Sequence, residues 1–128
     1  MARRVLVVED HPLNLELVTD FLELEGHQVL VASSAEAGLR LAETERPDLI
    51  LMDLHLPGMS GYDAVRRLKA NPTTAAIPVV AFTASAMRGE DVRAREAGCE
   101  GYITKPLTPR KFRETLQRFL YTGDKGTK

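Results

Sequence analysis

One cysteine, Cys99, stands in a chain of 128 residues. A lone thiol excludes an internal disulfide framework and suits a reducing compartment. An excess of charge of either sign is also lacking: 17 Lys and Arg meet 18 Asp and Glu, a formal net charge of -1. Nothing global therefore points to nucleic acid as a partner. No apolar run approaches the ~20 residues that a bilayer-crossing helix needs. The opening Met1-Ala-Arg-Arg4 leads straight into a strand-like run with no separate apolar segment, so no signal peptide is expected. Low-complexity stretches and linkers are missing too, and successive segments share no common sequence, which excludes a solenoid. The expectation is one cytoplasmic domain over residues 1–121 and a small, polar, flexible tail over 122–128.

What the chain does have is a 44% apolar content. That suffices for one core, with roughly two thirds of the unfolded surface buried. Five short apolar runs, at 5–8, 28–31, 49–52, 79–82 and 101–103, read as strands buried on both faces. Amphipathic stretches follow each one. The expected helices run over about 12–25, stopped by Gly26; 35–45, with Ser33 or Ser34 as N-cap; 61–70, capped by Ser60; 88–97, stopped by Gly98; and 109–120, capped by Thr108 with Pro109 at its first position. Five βα units in alternation predict an α/β fold, a doubly wound five-stranded parallel sheet with helices on both faces.

In such a sheet, ligands bind at the carboxyl ends of the strands. Glu9 and Asp10 follow the first strand, Asp53 the third, Thr83 the fourth, and Lys105-Pro106 the fifth. Carboxylates at neighbouring strand ends repel one another unless a cation sits among them, and hard oxygen donors suit Mg²⁺. Lys105 adds an ammonium and Thr83 a hydroxyl. Together these groups make a site for a phosphoryl group, with Asp53 as the nucleophile. Each residue alone has a plainer explanation. Asp10 could cap a helix and Lys105 could be a solvated loop lysine. That explanation must be repeated at four strand ends to dismiss the set.

The runs Val5-Leu-Val-Val-Glu-Asp10, Asp48-Leu-Ile-Leu-Met-Asp53-Leu-His-Leu-Pro-Gly-Met-Ser-Gly61, Pro78-Val-Val-Ala-Phe-Thr83-Ala and Gly101-Tyr-Ile-Thr-Lys105-Pro106 resemble the receiver domains of two-component response regulators. The resemblance spans about residues 4–120. Within the family, 84–91 and 98–105 look most like single-domain receivers of the cell-cycle and phosphorelay type. It implies a flavodoxin-like strand order 2-1-3-4-5 and Asp53 as phosphoacceptor. It also implies Mg²⁺ held directly by Asp10, Asp53 and the backbone carbonyl of His55, and by Glu9 through water. Lys105 would contact the phosphoryl group and Thr83 would hydrogen-bond it. Tyr102 would change rotamer as Thr83 moves, and Lys105-Pro106 would be a cis peptide. The donor would be a sensor histidine kinase or a histidine phosphotransfer protein. The output face would be the fourth helix, fifth strand and fifth helix, toward a downstream protein. The domain would catalyse its own phosphorylation and dephosphorylation without turning over a separate substrate. A receiver trimmed from a larger hybrid kinase or transcription regulator is the alternative.

Charge is uneven along the chain. Residues 9–25 hold six acids and no Lys or Arg, whereas 107–128 hold six Lys and Arg against two acids. Such asymmetry either orients partners or marks two solvated faces. Leu13 and Leu24 either edge a kinase-docking surface or are buried. His11, His27 and His55 lack metal-ligand spacing, and Cys99, Met52 and Met59 read as packing residues. Three other readings fail on particular residues. A haloacid-dehalogenase-type phosphatase needs an acid where His55 stands. A flavodoxin needs a hydroxyl- and glycine-rich loop where Glu9-Asp10-His11-Pro12 stands. A DNA-binding regulator needs a further domain beyond Leu120.

Overall fold

The computed structural model describes residues 3–83, 88–104 and 108–120. The expected tail and Lys105-Pro106 lie outside the described residues. The elements alternate as β1 (Arg4–Val8), α1 (Pro12–Leu24), β2 (Gln28–Ala32), α2 (Ala35–Glu45), β3 (Leu49–Asp53), α3 (Gly61–Ala70), β4 (Val79–Thr83), α4 (Glu90–Ala97), β5 (Gly101–Thr104) and α5 (Pro109–Leu120). All neighbouring strands pair in parallel, in the order β2-β1-β3-β4-β5.

Alternation along the strands divides the interior in two. Leu6, Val8, Ile50, Met52, Val79 and Ala81 face α2, α3 and α4, where they meet Ala42, Val65, Leu68 and Ala94. Val5, Val7, Leu49, Leu51, Val80 and Phe82 face α1 and α5, where they meet Val18, Leu22, Phe112 and Leu116. Every residue of β3 and β4 is buried, which is why these runs are continuously apolar rather than alternating. The edge strand β2 is looser, and Val31 is 44% exposed.

Local signals set the element ends. Ser34 Oγ accepts from the Ala37 amide at 3.1 Å, and Ser60 Oγ accepts from the Asp63 amide at 3.2 Å. Thr108 Oγ1 accepts from the Lys111 amide at 3.1 Å, with Pro109 opening α5. α4 begins at Glu90 rather than near residue 88, because Gly89 takes a left-handed conformation (φ +82°) at its N-cap. At the amino-terminal end of the sheet, Lys69 Nζ donates to the carbonyls of Ala75 (3.1 Å) and Ile77 (2.7 Å) and to Glu100 Oε2 (2.8 Å). Glu100 Oε1 in turn accepts from the Val79 amide at 2.8 Å, which ties the segment before β4 to α3.

The chain leaves β1 toward β2 and then returns to the other side of β1 as β3. The carboxyl ends of β1 and β3 are thus adjacent, Val8 lying opposite Met52. This reversal point sets the place where a ligand can enter.

Candidate metal and phosphoryl site

Glu9 and Asp10 continue directly from β1, and Asp53 is the last residue of β3. The topology brings the three together: one carboxylate oxygen from each lies within 4.8 Å of the others. Glu9 and Asp53 are buried, while Asp10 is exposed. Each buried carboxylate is fixed by its own loop. Glu9 Oε2 accepts from the His11 amide at 3.1 Å, and Asp53 Oδ1 accepts from the His55 amide at 3.0 Å, each two residues onward.

The electrostatics argue for a cation. At an effective dielectric of 20, two like charges at this separation repel by about 3 kcal/mol, and by less at the exposed Asp10. The donor set fits Mg²⁺. Its oxygens sit ~2.1 Å away, so ligands on opposite sides of the ion lie about 4.2 Å apart. A spread of up to 4.8 Å accommodates direct ligation by some carboxylates and ligation through water by another. Asp10 also lines an open cleft of about 590 Å³, together with His55, Pro57, Ser60, Tyr62 and Arg93 among others.

Thr83 ends β4 one step beyond the position paired with Asp53, and it is fully buried. Tyr102 lies on β5, paired in register with Ala81 and partly packed on the α2–α4 side of the core. Glu9, Asp10, Asp53 and the His55 backbone are therefore brought together, with Thr83 on the adjoining strand. Lys105 follows β5 but lies outside the described residues, as does Pro106. Gly61 is a further requirement of this site. A Cβ there would stand 2.7 Å from Leu54 Cα and closer still to the Asp53 carbonyl oxygen, so α3 can begin against the backbone of Asp53 only with glycine.

The sequence reading missed Glu90. It is 2% exposed, and Tyr102 Oη donates to its Oε1 at 2.8 Å while His55 Nε2 lies 2.7 Å from its Oε2. Burial resists ionisation of Glu90, but the hydrogen bond from Tyr102, the nearby Tyr62 hydroxyl and the contact with His55 outweigh it and hold the carboxyl below its ordinary range. Burial first, and then the Glu90 carboxylate, push the Tyr102 phenol well above its ordinary value. An acid in the first turn of an expected helix was the available signal. Its partners are 35 positions before it and 12 after, and no spacing rule links them. Leu13 and Leu24, left open by the sequence, are 71% and 82% exposed. Cys99 is buried, and burial pushes its thiol up to about 12, which suits a packing role.

Fold and site together define a doubly wound α/β module with an acidic cluster of a kind that could hold a cation at its topological switch point. The family model described as the response regulator receiver domain matches residues 5–117. The chain belongs to that family. It is 42% identical over 120 residues to the polar-differentiation response regulator DivK of Brucella anthropi, covering 94% of this chain and 98% of that one. Among solved structures it resembles the receiver domain of sensor histidine kinase PA1611 from Pseudomonas aeruginosa, crystallised with a magnesium ion in its active-site cleft. The TM-score is 0.88 at 32% identity, covering 94% of this chain and 99% of that one. A CheY-like receiver from Methanospirillum hungatei gives a TM-score of 0.89 at 29% identity, covering 98% and 99%. Receiver domains bind Mg²⁺ at an acidic pocket and take part in signalling with histidine kinases or phosphotransfer proteins. Among the described residues, no helix is long and apolar enough to cross a membrane.

Proposed function

We propose that this chain is a single-domain response regulator of the cytoplasm that accepts a phosphoryl group on Asp53 in a Mg²⁺-dependent reaction. The observation that carries this reading is the convergence of Glu9, Asp10 and Asp53 from two separate strand ends within 4.8 Å. Asp10, Asp53 and the His55 carbonyl would hold the ion directly, and Glu9 through water. When bound, the ion supplies positive charge against the phosphoryl oxygens.

An Asp53 oxygen attacks phosphorus in line. The new O–P bond forms as the N–P bond of the donor phosphohistidine breaks, and the leaving imidazole keeps the electron pair. The buried Asp53 is aimed by the His55 amide, so little reorganisation precedes attack. Lys105 contacts the transferred group, and Thr83, at the end of the neighbouring strand, donates its hydroxyl to it. The product adds charge and acceptor oxygens where Thr83 and Tyr102 can respond. The donor is a sensor histidine kinase or a histidine phosphotransfer protein, and the output passes to a protein partner through α4, β5 and α5.

The test is incubation with acetyl phosphate and Mg²⁺, read by intact mass. Wild type gains one phosphoryl group, while Asp53→Asn and chelated samples do not. Labelling that persists in Asp53→Asn rejects the assignment. Asp10→Asn should weaken Mg²⁺ binding by roughly 10-fold or more, in a titration monitored by amide shifts. An unchanged affinity would remove Asp10 from the ion's ligands.

A further inference from the structure

Glu90 is a buried carboxylate that the phosphoryl chemistry does not use. Burying such a group costs several kcal/mol unless donors meet it. Here the donors come from two elements far apart in the chain. Tyr102 Oη, on β5, reaches Oε1, and His55 Nε2, on the loop between β3 and α3, reaches Oε2. An imidazole can donate from Nε2 in either charge state, so the contact does not require protonation of His55. The third side of the pocket is aromatic. Tyr62 of α3 lies beside the same carboxylate, close enough to feel its charge but outside hydrogen-bond geometry. One turn along α4, the Arg93 guanidinium stacks 4.4 Å above the Tyr62 ring. Glu90 thus has one oxygen for the acceptor loop and one for β5, and its own backbone is fixed at the head of α4.

We propose that Glu90 is a positioning residue that couples the acceptor loop to Tyr102, because one buried carboxylate holds the His55 imidazole and the Tyr102 phenol at once. This rests on Asp53 being the phosphoacceptor. The His55 amide is bonded to Asp53 itself, so a change at Asp53 moves the backbone that carries the imidazole. The carboxylate cannot follow His55 and keep its bond to Tyr102 unless the phenol moves as well. Movement at the loop then reaches β5 through a side chain as well as through Thr83.

The experiment uses the full chain with fluorinated tyrosine, the Tyr102 resonance being assigned by Tyr102→Phe. Beryllofluoride with Mg²⁺ provides the stimulus, and acetyl phosphate labelling provides the control. In Glu90→Ala, labelling of Asp53 should stay within about twofold of wild type, whereas the Tyr102 response should fall to about half or less. Glu90→Gln keeps an acceptor for Tyr102 and offers an amide N–H to the acceptor nitrogen of a neutral His55 ring, and should restore most of the response. His55→Ala cuts the same link from an exposed side chain that makes little demand on folding, and should likewise lower the Tyr102 response to about half or less. A full Tyr102 response in Glu90→Ala or His55→Ala overturns the coupling while leaving the acceptor assignment intact. Failure of wild type to label overturns the acceptor assignment and the coupling with it.

Discussion

Replacing Gly61 by alanine tests whether α3 is seated on the acceptor strand. Two effects of opposite sign compete. Alanine is a better helix former, and that preference would stabilise α3 by up to about 1 kcal/mol. Against it, the added methyl would sit 2.7 Å from Leu54 Cα and closer still to the carbonyl oxygen of Asp53. Both obstacles are backbone, which no rotamer change can clear, so the cost lies at the upper end of the ~1–3 kcal/mol seen for overpacking. The net expectation is a loss of about 2 kcal/mol, or roughly 8 °C in Tm for a chain of this size. Gly26→Ala is the control. Gly26 has φ +84° with open space around its Cβ position, so conformational strain alone costs ~1 kcal/mol. Urea unfolding gives the stabilities and Mg²⁺ titration reports on the site. Gly61→Ala should lose stability and Mg²⁺ affinity together, because Asp53 and His55 ride on the displaced backbone. Gly26→Ala should lose stability only. A Gly61→Ala protein as stable as wild type, or one destabilised with unaltered Mg²⁺ affinity, would refute the reasoning.

Lys69→Met keeps the stem that packs beside Gly98 but removes three donated hydrogen bonds, leaving two carbonyls and Glu100 without them. Urea midpoints should register a loss of about 1–3 kcal/mol. His27 is buried and its Nδ1 accepts from the Arg3 amide at 3.1 Å, so the folded state favours the neutral ring. Desolvation lowers its pKa below 6.5. Below that value the unfolded chain binds a proton that the folded chain does not, so stability must fall as pH drops below 6.5 toward the lowered folded value. Thermal unfolding at pH 7.5 and 5.5 should show this loss in wild type and a smaller one in His27→Gln. Equal losses would remove His27 from the pH response. Glu90, lowered from an ordinary 4.5, contributes a loss of the same sense only in more acid solution.

The sheet was legible because β1, β3 and β4 are covered on both faces, so their sequences are unbroken apolar runs that few other structures tolerate. Each of the five strands extends beyond its apolar run by at least one residue, to Arg4, Ala32, Asp53, Thr83 and Thr104. Backbone pairing continues past the point where hydrophobicity stops, and most of these added residues are polar. For that reason Asp53 and Thr83 belong to the strands rather than to the loops after them. The acidic cluster was legible because a parallel sheet with one reversal point must gather the ends of β1 and β3. Whether Leu13 and Leu24 were buried was not legible, because a helix wide in apolar residues carries no mark of where its covered stripe ends. Glu90 was hidden for a different reason. A carboxylate looks solvated until the residues that enclose it are known, and Tyr62, Tyr102 and His55 come from three separate segments.

The complete enclosure of β3 bears on how the molecule can respond. Asp53 stands at the tip of a strand whose residues are all wedged between two tightly filled layers, so that strand has no room to tilt or slide. A disturbance at its tip is therefore turned outward, into the loops and the ends of the neighbouring strands. The sheet works as a rigid mount, and a response at Asp53 is handed to the loop between β3 and α3 and to the neighbouring end of β1.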